Sequence, residues 1–227
     1  MFLDTSIECV LFDLDGTLID TAPDFIAALK RLSAEKNRSP ISDNRVQQTV
    51  SDGARALVQL AFEIEENDYR FAPLNQRLLD LYFEQLVHTE ASLYPGIYYL
   101  LDQLEAAKIP WGIVTNKPEM YSLRLLENLN LLSRCGVLVC PDHVSARKPH
   151  PEAILLACDR LSCRTERTVY IGDHIRDIKA AKNADVIAVA AAYGYLSPEE
   201  RVEEWSADFV LRSSEQALPL LNTLKFV

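Results

Sequence analysis

Two aspartates separated by one residue follow directly on a short apolar run near the start of the chain. The run spans residues 7–12, and Asp13 and Asp15 come next, before Gly16 and Thr17. An apolar run of this length, rich in β-branched and aromatic residues, is typical of a buried strand. Residues i and i+2 of an extended chain point to the same side, so the two carboxylates should converge where open α/β sheets bind ligands. Carboxylates held this close repel each other unless a cation or a shared proton compensates, which predicts a charged site here.

The rest of the chain divides into a helical part and an alternating part. As far as about residue 90, apolar residues recur at helical spacing, with loop signals that mark about four helices and no convincing strand. Beyond residue 94, helices alternate with strands expected at 109–114, 137–139, 168–171, 186–190 and 208–211. This alternation predicts a central parallel sheet covered by helices on both faces. We therefore expect an α/β core domain of residues 1–18 and 91–227, with residues 19–90 inserted as a helical domain.

Charge and composition exclude several classes of protein. A net charge of −10 makes a nucleic-acid partner unexpected, because binding to phosphate backbones requires a basic surface. No stretch approaches the ~20 apolar residues of a membrane helix, and residues 1–4 do not begin a signal peptide, so we expect no membrane partner and a cytoplasmic location. The cysteines have C-x4-C spacings rather than the paired C-x2-C of common zinc modules. We interpret them as buried or incidental thiols in a reducing compartment.

Two further predicted loops carry side chains suited to a phosphate group. Thr115 and Asn116 end a strand and can donate hydroxyl and amide hydrogen bonds, although a strand-to-helix turn with an asparagine cap explains them equally well. Lys148 lies between Arg147 and Pro149, and a second proline at residue 151 stiffens the approach to a helix. Its ammonium could balance the carboxylates and a phosphoryl group. We interpret Arg147 as a solvated loop residue.

A second pair of aspartates follows the strand at 168–171. Asp173 should lie at the strand end, and Asp177 should follow one helical turn later on the same side. Mg²⁺ prefers a few carboxylates with water and phosphate oxygens, so Asp13 and Asp173 can supply direct ligands and Asp15 a backbone carbonyl. Asp177 suits a metal-shell role or an ordinary acid at a helix N-terminus. His174 suits a substrate contact or an ordinary loop position.

Taken together, these segments resemble the four motifs of the haloacid dehalogenase (HAD) superfamily, in its phosphatase branch. The matching segments are Asp13-Leu14-Asp15-Gly16-Thr17, Thr115-Asn116, Lys148-Pro149 and Gly172-Asp173-x-x-x-Asp177. The resemblance spans nearly the whole chain. The helical insertion after the first motif resembles the small α-helical cap of the phosphoglycolate phosphatase-like members. The resemblance thus implies a Rossmann-like α/β core with residues 19–90 as an inserted α-helical cap domain.

This resemblance implies a Mg²⁺-dependent hydrolase of phosphomonoesters that works through an aspartyl-phosphate. In the family, the residue matched by Asp13 attacks phosphorus, and the one matched by Asp15 protonates the leaving alcohol and then activates water. Thr115 and Lys148 are implied to hold the phosphoryl group. The implied metal residues are Asp13, Asp15, Asp173 and Asp177, and Mg²⁺ would shield the nucleophile from the dianionic substrate.

Predicted substrate contacts lie on both sides of the site. They are Thr17, Asn116 and His174 in the core, with Gly53 and Arg55 in the cap. Arg55 is our candidate for a carboxylate on the substrate, and an exposed helix arginine is an equally good interpretation. The cap loop keeps only Gly53 where phosphoglycolate phosphatases often have two glycines, and residues 141–144 and 172–177 look more like N-acetylmuramic acid 6-phosphate phosphatases. The expected partner is therefore a small phosphorylated acid or sugar, either 2-phosphoglycolate or N-acetylmuramic acid 6-phosphate.

Two other functions fit the same core. A phosphomutase acting on a sugar phosphate would use the same residues, and a non-catalytic binding protein could retain the fold. The presence of every charged catalytic position disfavours the second. We expect a monomer or a homodimer, with a cap that opens and closes about hinges near residues 18–21 and 89–94.

Overall fold

The computed structural model describes residues 6–224. Residues 1–5 and 225–227, which the sequence assigns to the ends of the core domain, lie outside the described residues. The expectation that residues 1–4 begin no signal peptide lies outside them as well. Within the described chain, a six-stranded sheet and a two-stranded ribbon are joined by helices.

The elements follow one another in a βα order that a helical stretch interrupts once. The strands are β1 (Cys9–Phe12), β2 (Ile19–Asp20), β3 (Ser92–Leu93), β4 (Trp111–Val114), β5 (Val137–Val139), β6 (Thr168–Gly172), β7 (Ile187–Ala191) and β8 (Phe209–Leu211). The helices are α1 (Ala22–Glu35), α2 (Asp43–Thr49), α3 (Gly53–Phe62), α4 (Phe71–Gln85), α5 (Ile97–Ala106), α6 (Glu119–Asn128), α7 (Glu152–Leu161), α8 (Ile175–Asn183) and α9 (Ala217–Thr223).

The large sheet is parallel throughout and has the order β5-β4-β1-β6-β7-β8, which confirms the predicted α/β class. The first strand lies inside the sheet, because Phe12 pairs with Ile113 of β4 on one side and with Ile171 of β6 on the other. In a parallel sheet the carboxyl ends of neighbouring strands meet at one edge. The segments that follow β1, β4 and β6 are therefore brought together.

Both faces of the sheet are buried. Along β1, Val10 and Phe12 belong to one apolar cluster, whereas Cys9 and Leu11 belong to another on the opposite face. This alternation is the strand period of two, and each fully buried side chain of this size contributes about 1.5–3 kcal/mol to folding. The first cluster continues from the sheet into the helical stretch, where it includes Leu57 and Tyr82.

The helical stretch contains the four helices expected there, α1 to α4. Helices α1 and α4 pack along each other, and the ring of Phe25 stacks on that of Tyr82 with centroids 3.9 Å apart and planes within 7°. The expectation of no strand in residues 19–90 is wrong at its edge. Residues Ile19–Asp20 form β2, which pairs antiparallel with β3 so that Ile19 lies opposite Leu93. Two residues are too few to show the alternation by which a strand is recognised in a sequence.

Two findings concern the helix lengths and the cysteines. In the part of the chain that the structure describes, every helix is too short or too polar to cross a lipid bilayer. The five cysteines are free thiols, of which Cys9, Cys140 and Cys158 are buried and Cys135 and Cys163 are half-buried. The three buried cysteines agree with the interpretation of the cysteines as buried or incidental thiols.

Candidate active site

The first motif turns sharply at the end of β1. Gly16 has φ +75°, a left-handed conformation that side chains rarely adopt. A Cβ atom at this position would lie 2.1 Å from Oδ2 of Asp173, so a side chain would also collide with the neighbouring carboxylate. The turn therefore requires glycine, and it lets the chain after Asp13 pass directly over the end of β6.

Beneath this turn lies a cluster of three buried carboxylates and one buried ammonium. The Nζ atom of Lys148 lies 2.9 Å from Oδ1 of Asp13 and 2.7 Å from Oδ1 of Asp177, and it also donates to the carbonyl of Val114 and the hydroxyl of Tyr170. Lys148 is only 3% exposed, so these protein groups take the place of water around its ammonium. The structure thus brings together three side chains predicted from separate motifs.

Burial and mutual repulsion dominate the electrostatics of this cluster. Burial raises the pKa of Asp13 to about 6, against the attraction of Lys148. Burial also raises the pKa of Asp173 to about 8, and the charges of Asp13 and Asp177 add to it. For Lys148, burial favours the neutral amine, but the two carboxylates it contacts outweigh burial and raise its pKa. One ammonium is therefore insufficient compensation for the three carboxylates.

The cluster suits a hard divalent cation. Carboxylate oxygen atoms of Asp13, Asp173 and Asp177 all lie within 4.8 Å of one another. Within residues 6–224, no other group of three or more His, Cys, Asp or Glu side chains places its ligand atoms so near to one another. Carboxylate oxygens are the ligands that Mg²⁺ prefers. Asp177 is the most engaged of the three, because its Oδ2 also accepts from the backbone N–H of His174 and caps α8.

The raised pKa values predict how stability depends on pH. An aspartate ordinarily titrates near 3.8, so between pH 4 and 8 the folded protein binds more protons at Asp13 and Asp173 than the unfolded chain does. The unfolding free energy of metal-free protein is therefore expected to fall as the pH rises through about 6 and about 8. Thermal melts in EDTA at constant ionic strength measure this slope, and Mg²⁺ should raise the melting temperature more at pH 8 than at pH 5.

The matched variant for this measurement is Asp173→Asn, which removes one of the two titrating carboxyls. It should flatten the pH slope of the metal-free protein and reduce the gain from Mg²⁺. A wild-type melting temperature that rises between pH 5 and pH 8 in EDTA would contradict the expectation.

Asp15 lies apart from the acidic cluster. Its Oδ1 accepts hydrogen bonds from Nζ of Lys117 at 2.8 Å and from the hydroxyl of Thr21 at 2.5 Å. Its carboxylate does not join the group of close ligand atoms, and its predicted ligation through the backbone carbonyl remains a prediction. The two aspartates of the first motif therefore have different surroundings: Asp13 contacts Lys148, and Asp15 contacts Lys117.

Lys117 is the main site residue that the sequence did not single out. It is 7% exposed, and its ammonium lies 4.9 Å from the ring centroid of Phe25 and 4.6 Å from that of Tyr82. These cation–π contacts join the core to α1 and α4. A signal was available, because the lysine directly follows the Thr115–Asn116 pair and precedes a proline.

The other predicted residues outside the helical stretch form hydrogen bonds with the backbone and side chains of the site itself. The hydroxyl of Thr115 accepts from the backbone N–H of Lys117, and the amide of Asn116 donates to the carbonyl of Lys148. Thr17 donates its hydroxyl hydrogen bond to Oδ1 of Asp173 at 3.2 Å. Nδ1 of His174 accepts from the N–H two residues on, at the start of α8.

A cavity of about 290 Å³ lies between the sheet end and the helical stretch. Its lining includes Asp13, Asp15, Thr115, Asn116, Gly53 and Arg55 among the predicted residues, whereas Thr17 and His174 are not part of it. Aromatic side chains contribute one wall, including Tyr82 and Tyr121. Two polar atoms of lining residues, Oδ1 of Asn75 and the hydroxyl oxygen of Tyr82, are buried and find no hydrogen-bond partner among residues 6–224. The cavity therefore offers both charged and neutral polar contacts.

One loop of the helical stretch reaches across to the core. The hydroxyl of Ser51 donates to Oδ2 of Asp173 at 3.0 Å, and its carbonyl accepts from the guanidinium of Arg176. Next to it, Oδ1 of the exposed Asp52 lies 3.4 Å from Nε2 of His174, and this contact lowers the pKa of Asp52. The loop before α3 therefore contacts Asp173, a predicted metal ligand, and the start of α8 beside it.

Comparison with known proteins gives concordant matches over nearly the whole chain. The family described as haloacid dehalogenase-like hydrolase matches residues 10–191. An N-acetylmuramic acid 6-phosphate phosphatase of Pseudomonas aeruginosa is 40% identical over 216 residues, which cover 95% of each chain. A phosphoglycolate phosphatase of Xanthomonas campestris is 39% identical over 209 residues, covering 92% of this chain and 94% of the relative.

Solved structures agree on the fold. A crystal structure described as a predicted phosphoglycolate phosphatase from Haemophilus somnus superposes with a TM-score of 0.83 at 23% identity, covering 96% of this chain and 99% of the other. The structure of CbbY from Rhodobacter sphaeroides in complex with phosphate has a TM-score of 0.73 at 23% identity, covering 92% and 96%. At these identities the likeness supports the architecture.

Proposed function

Because the chain belongs to the haloacid dehalogenase-like hydrolase family, we propose that it is a Mg²⁺-dependent phosphatase that works through an aspartyl-phosphate. The observation that carries the proposal is the position of Asp13. Its carboxylate lies at the end of a central strand, in contact with Lys148, beside two further carboxylates and on the wall of the cavity. Relatives at about 40% identity over nearly the full length bear the names of phosphatases, which supports the reaction class.

The nucleophilic atom follows from the hydrogen bonds of Asp13. Both the backbone N–H of Leu14 and the ammonium of Lys148 contact Oδ1. In the described residues Oδ2 has no hydrogen-bond partner, so it is the oxygen free to attack phosphorus. Its attack forms the bond to phosphorus while the ester bond breaks, and Asp15 gives a proton to the departing alcohol.

The second half of the reaction reverses the role of Asp15. It takes a proton from water, whose oxygen attacks the phosphorus and releases inorganic phosphate from Asp13. Lys148 and the hydroxyl of Thr115 hold the phosphoryl group through both steps. Asp13 and Asp173, with Asp177 beside them, would hold Mg²⁺, which supplies charge that offsets the repulsion between carboxylate and phosphate.

We propose that residues 19–90 act as a cap domain over residues 6–18 and 91–224. The contacts of Ser51 and Asp52 with the core, and the cavity enclosed beneath them, support this division. A closed cap excludes water from the phosphoryl group until the alcohol has left. The substrate is then selected by residues from both parts, and we propose a small phosphorylated acid or sugar.

The test is the release of inorganic phosphate from 2-phosphoglycolate and from N-acetylmuramic acid 6-phosphate by purified protein. We expect turnover of at least one of them with Mg²⁺, complete loss in EDTA, and recovery when Mg²⁺ is added back in excess. Release in the absence of any acceptor sugar phosphate distinguishes a phosphatase from a phosphomutase. A folded protein that releases no phosphate from any phosphomonoester would overturn the proposal in favour of a binding protein. Full activity in EDTA would show that the reaction does not need the metal.

A further inference from the structure

Four cationic side chains line the cavity, and three of them are already engaged. Lys117 is paired with Asp15, and Arg176 donates to the carbonyl of Ser51. Arg55 is held by Glu66 through two of its nitrogens, in a pair that lies at the surface. The fourth is Arg147, which lines the same cavity. Within residues 6–224, Arg147 has no side-chain hydrogen bond, ion pair or ring contact.

We propose that Arg147 binds a carboxylate on the leaving group of the substrate. The proposal rests on the phosphatase function proposed above and names the chemical class that the site selects, a phosphomonoester whose alcohol part carries a carboxylate. A guanidinium suits this task, because its planar set of N–H groups matches a carboxylate with two parallel hydrogen bonds.

The backbone on which Arg147 sits is fixed relative to the reacting groups. The carbonyl of Arg147 accepts from the N–H of His150, and the carbonyl of Lys148 accepts from the amide of Asn116. The side chain of Lys148 is buried against Asp13, whereas that of Arg147 is exposed and reaches the cavity wall. Two adjacent residues thus serve two parts of one ligand, with Lys148 on the phosphoryl group and Arg147 on the alcohol.

The charge of the cavity makes a free cation necessary for such a substrate. Asp13, Asp15 and Asp52 line it, and a second negative group on the substrate would be repelled by them. Arg55 could reach a carboxylate only by giving up its two contacts with Glu66. Arg147 has no contact to give up, so the whole of its interaction with the ligand is gained on binding.

The names of the relatives fit this class. Both 2-phosphoglycolate and N-acetylmuramic acid 6-phosphate have a carboxylate on the alcohol side of the ester, although they differ greatly in size. A single arginine at the cavity wall would recognise the group that they share. The remaining cavity walls would then decide between a small and a large alcohol.

The experiment compares substrates with and without the carboxylate. Arg147→Met should lower kcat/KM for 2-phosphoglycolate or N-acetylmuramic acid 6-phosphate about 10- to 100-fold, mainly through KM, as expected for a lost charge-assisted hydrogen bond. For p-nitrophenyl phosphate and N-acetylglucosamine 6-phosphate, which lack the carboxylate, kcat/KM should stay within about twofold of wild type. Arg147→Lys should restore part of the loss. Arg160→Met is the matched control, because Arg160 is exposed on α7, lies outside the cavity and has no partner in the described chain.

The outcomes separate this inference from the proposed function. If wild type hydrolyses no phosphomonoester, the function itself fails. If wild type is active but Arg147→Met has wild-type kinetics, or lowers kcat/KM equally for all esters, Arg147 does not select the carboxylate. A selective loss in Arg55→Met with none in Arg147→Met would also overturn the inference and assign the carboxylate to Arg55.

Discussion

Asp13→Asn is expected to abolish turnover and the formation of a phosphoenzyme. The amide that replaces the carboxylate is a poor nucleophile, and Oδ2 of Asp13 is the oxygen left free by its neighbours. Removal of a nucleophile typically lowers kcat by ~10⁴-fold or more. Steady-state phosphate release measures the loss, and rapid acid quench with radiolabelled substrate measures the phosphoenzyme.

The control for this variant is Asp159→Asn, an exposed aspartate on α7 whose carboxylate has no partner in the described residues. It should retain wild-type kinetics. Asp13→Asn should also stay folded, because it removes one of three crowded carboxylates, and a thermal melt in EDTA checks this. Full activity in Asp13→Asn would show that Asp13 is not the nucleophile.

Lys148→Met should cost both stability and activity. Among residues 6–224 its ammonium is the sole cation in contact with Asp13 and Asp177, which are buried, so its loss leaves uncompensated charge. Breaking a buried ion pair by removing one partner typically lowers the unfolding free energy by about 3–5 kcal/mol. The penalty should be smaller at pH 5 than at pH 8, because protonated carboxyls need no compensation. Denaturant unfolding at both pH values measures it.

Phosphate release from the folded fraction of Lys148→Met should fall by about 10²–10³-fold, as for the loss of a group that stabilises charge in the transition state. Lys179→Met is the matched control, since Lys179 is exposed on α8 and has no partner in the described chain. An unfolding free energy equal to that of wild type at pH 8 would contradict the buried-charge account. Wild-type activity in Lys148→Met would show that Lys148 does not bind the phosphoryl group.

The strand–helix alternation was predictable because it rests on local patterns. Strands β4 to β8 lie within one residue of their expected ranges at each end, apart from a start two residues late in β4, since a buried parallel strand is a continuous apolar run. Because β1 and β6 are neighbours, the meeting of strand carboxyl ends then brings Asp13 and Asp173 together without knowledge of a single contact. The ribbon of β2 and β3 was missed because its partners are far apart in sequence and each is two residues long.

Two site residues, Lys117 and Arg147, are not predicted from the sequence, because their roles depend on the position of the charged group at the tip of a long side chain. Lys117 is placed by Asp15 on one side and by Phe25 and Tyr82 on the other, and neither aromatic residue belongs to any motif of the core. The sequence predicts a solvated loop residue at Arg147, and the side chain is exposed, as expected, yet it lies on the cavity wall. Sequence spacing gives the side of a strand or helix, but it does not give the reach of a long flexible side chain.

The ribbon of β2 and β3 has a consequence for how such a chain can change its substrate. Because Ile19 lies opposite Leu93, the chain leaves the core and re-enters it at two directly paired positions. Everything between them begins and ends at one place. We therefore expect its exposed parts to tolerate changes of length without displacing β1, as long as the contacts that Thr21, Ser51 and Tyr82 make with the site are kept. Cavity walls made by α1, α3 and α4 can therefore diverge while Asp13 and Lys148 stay in place. On the proposed function, the catalytic groups and Arg147 would stay on the α/β part of the chain, while the walls supplied by α1, α3 and α4 would adjust which alcohol fits.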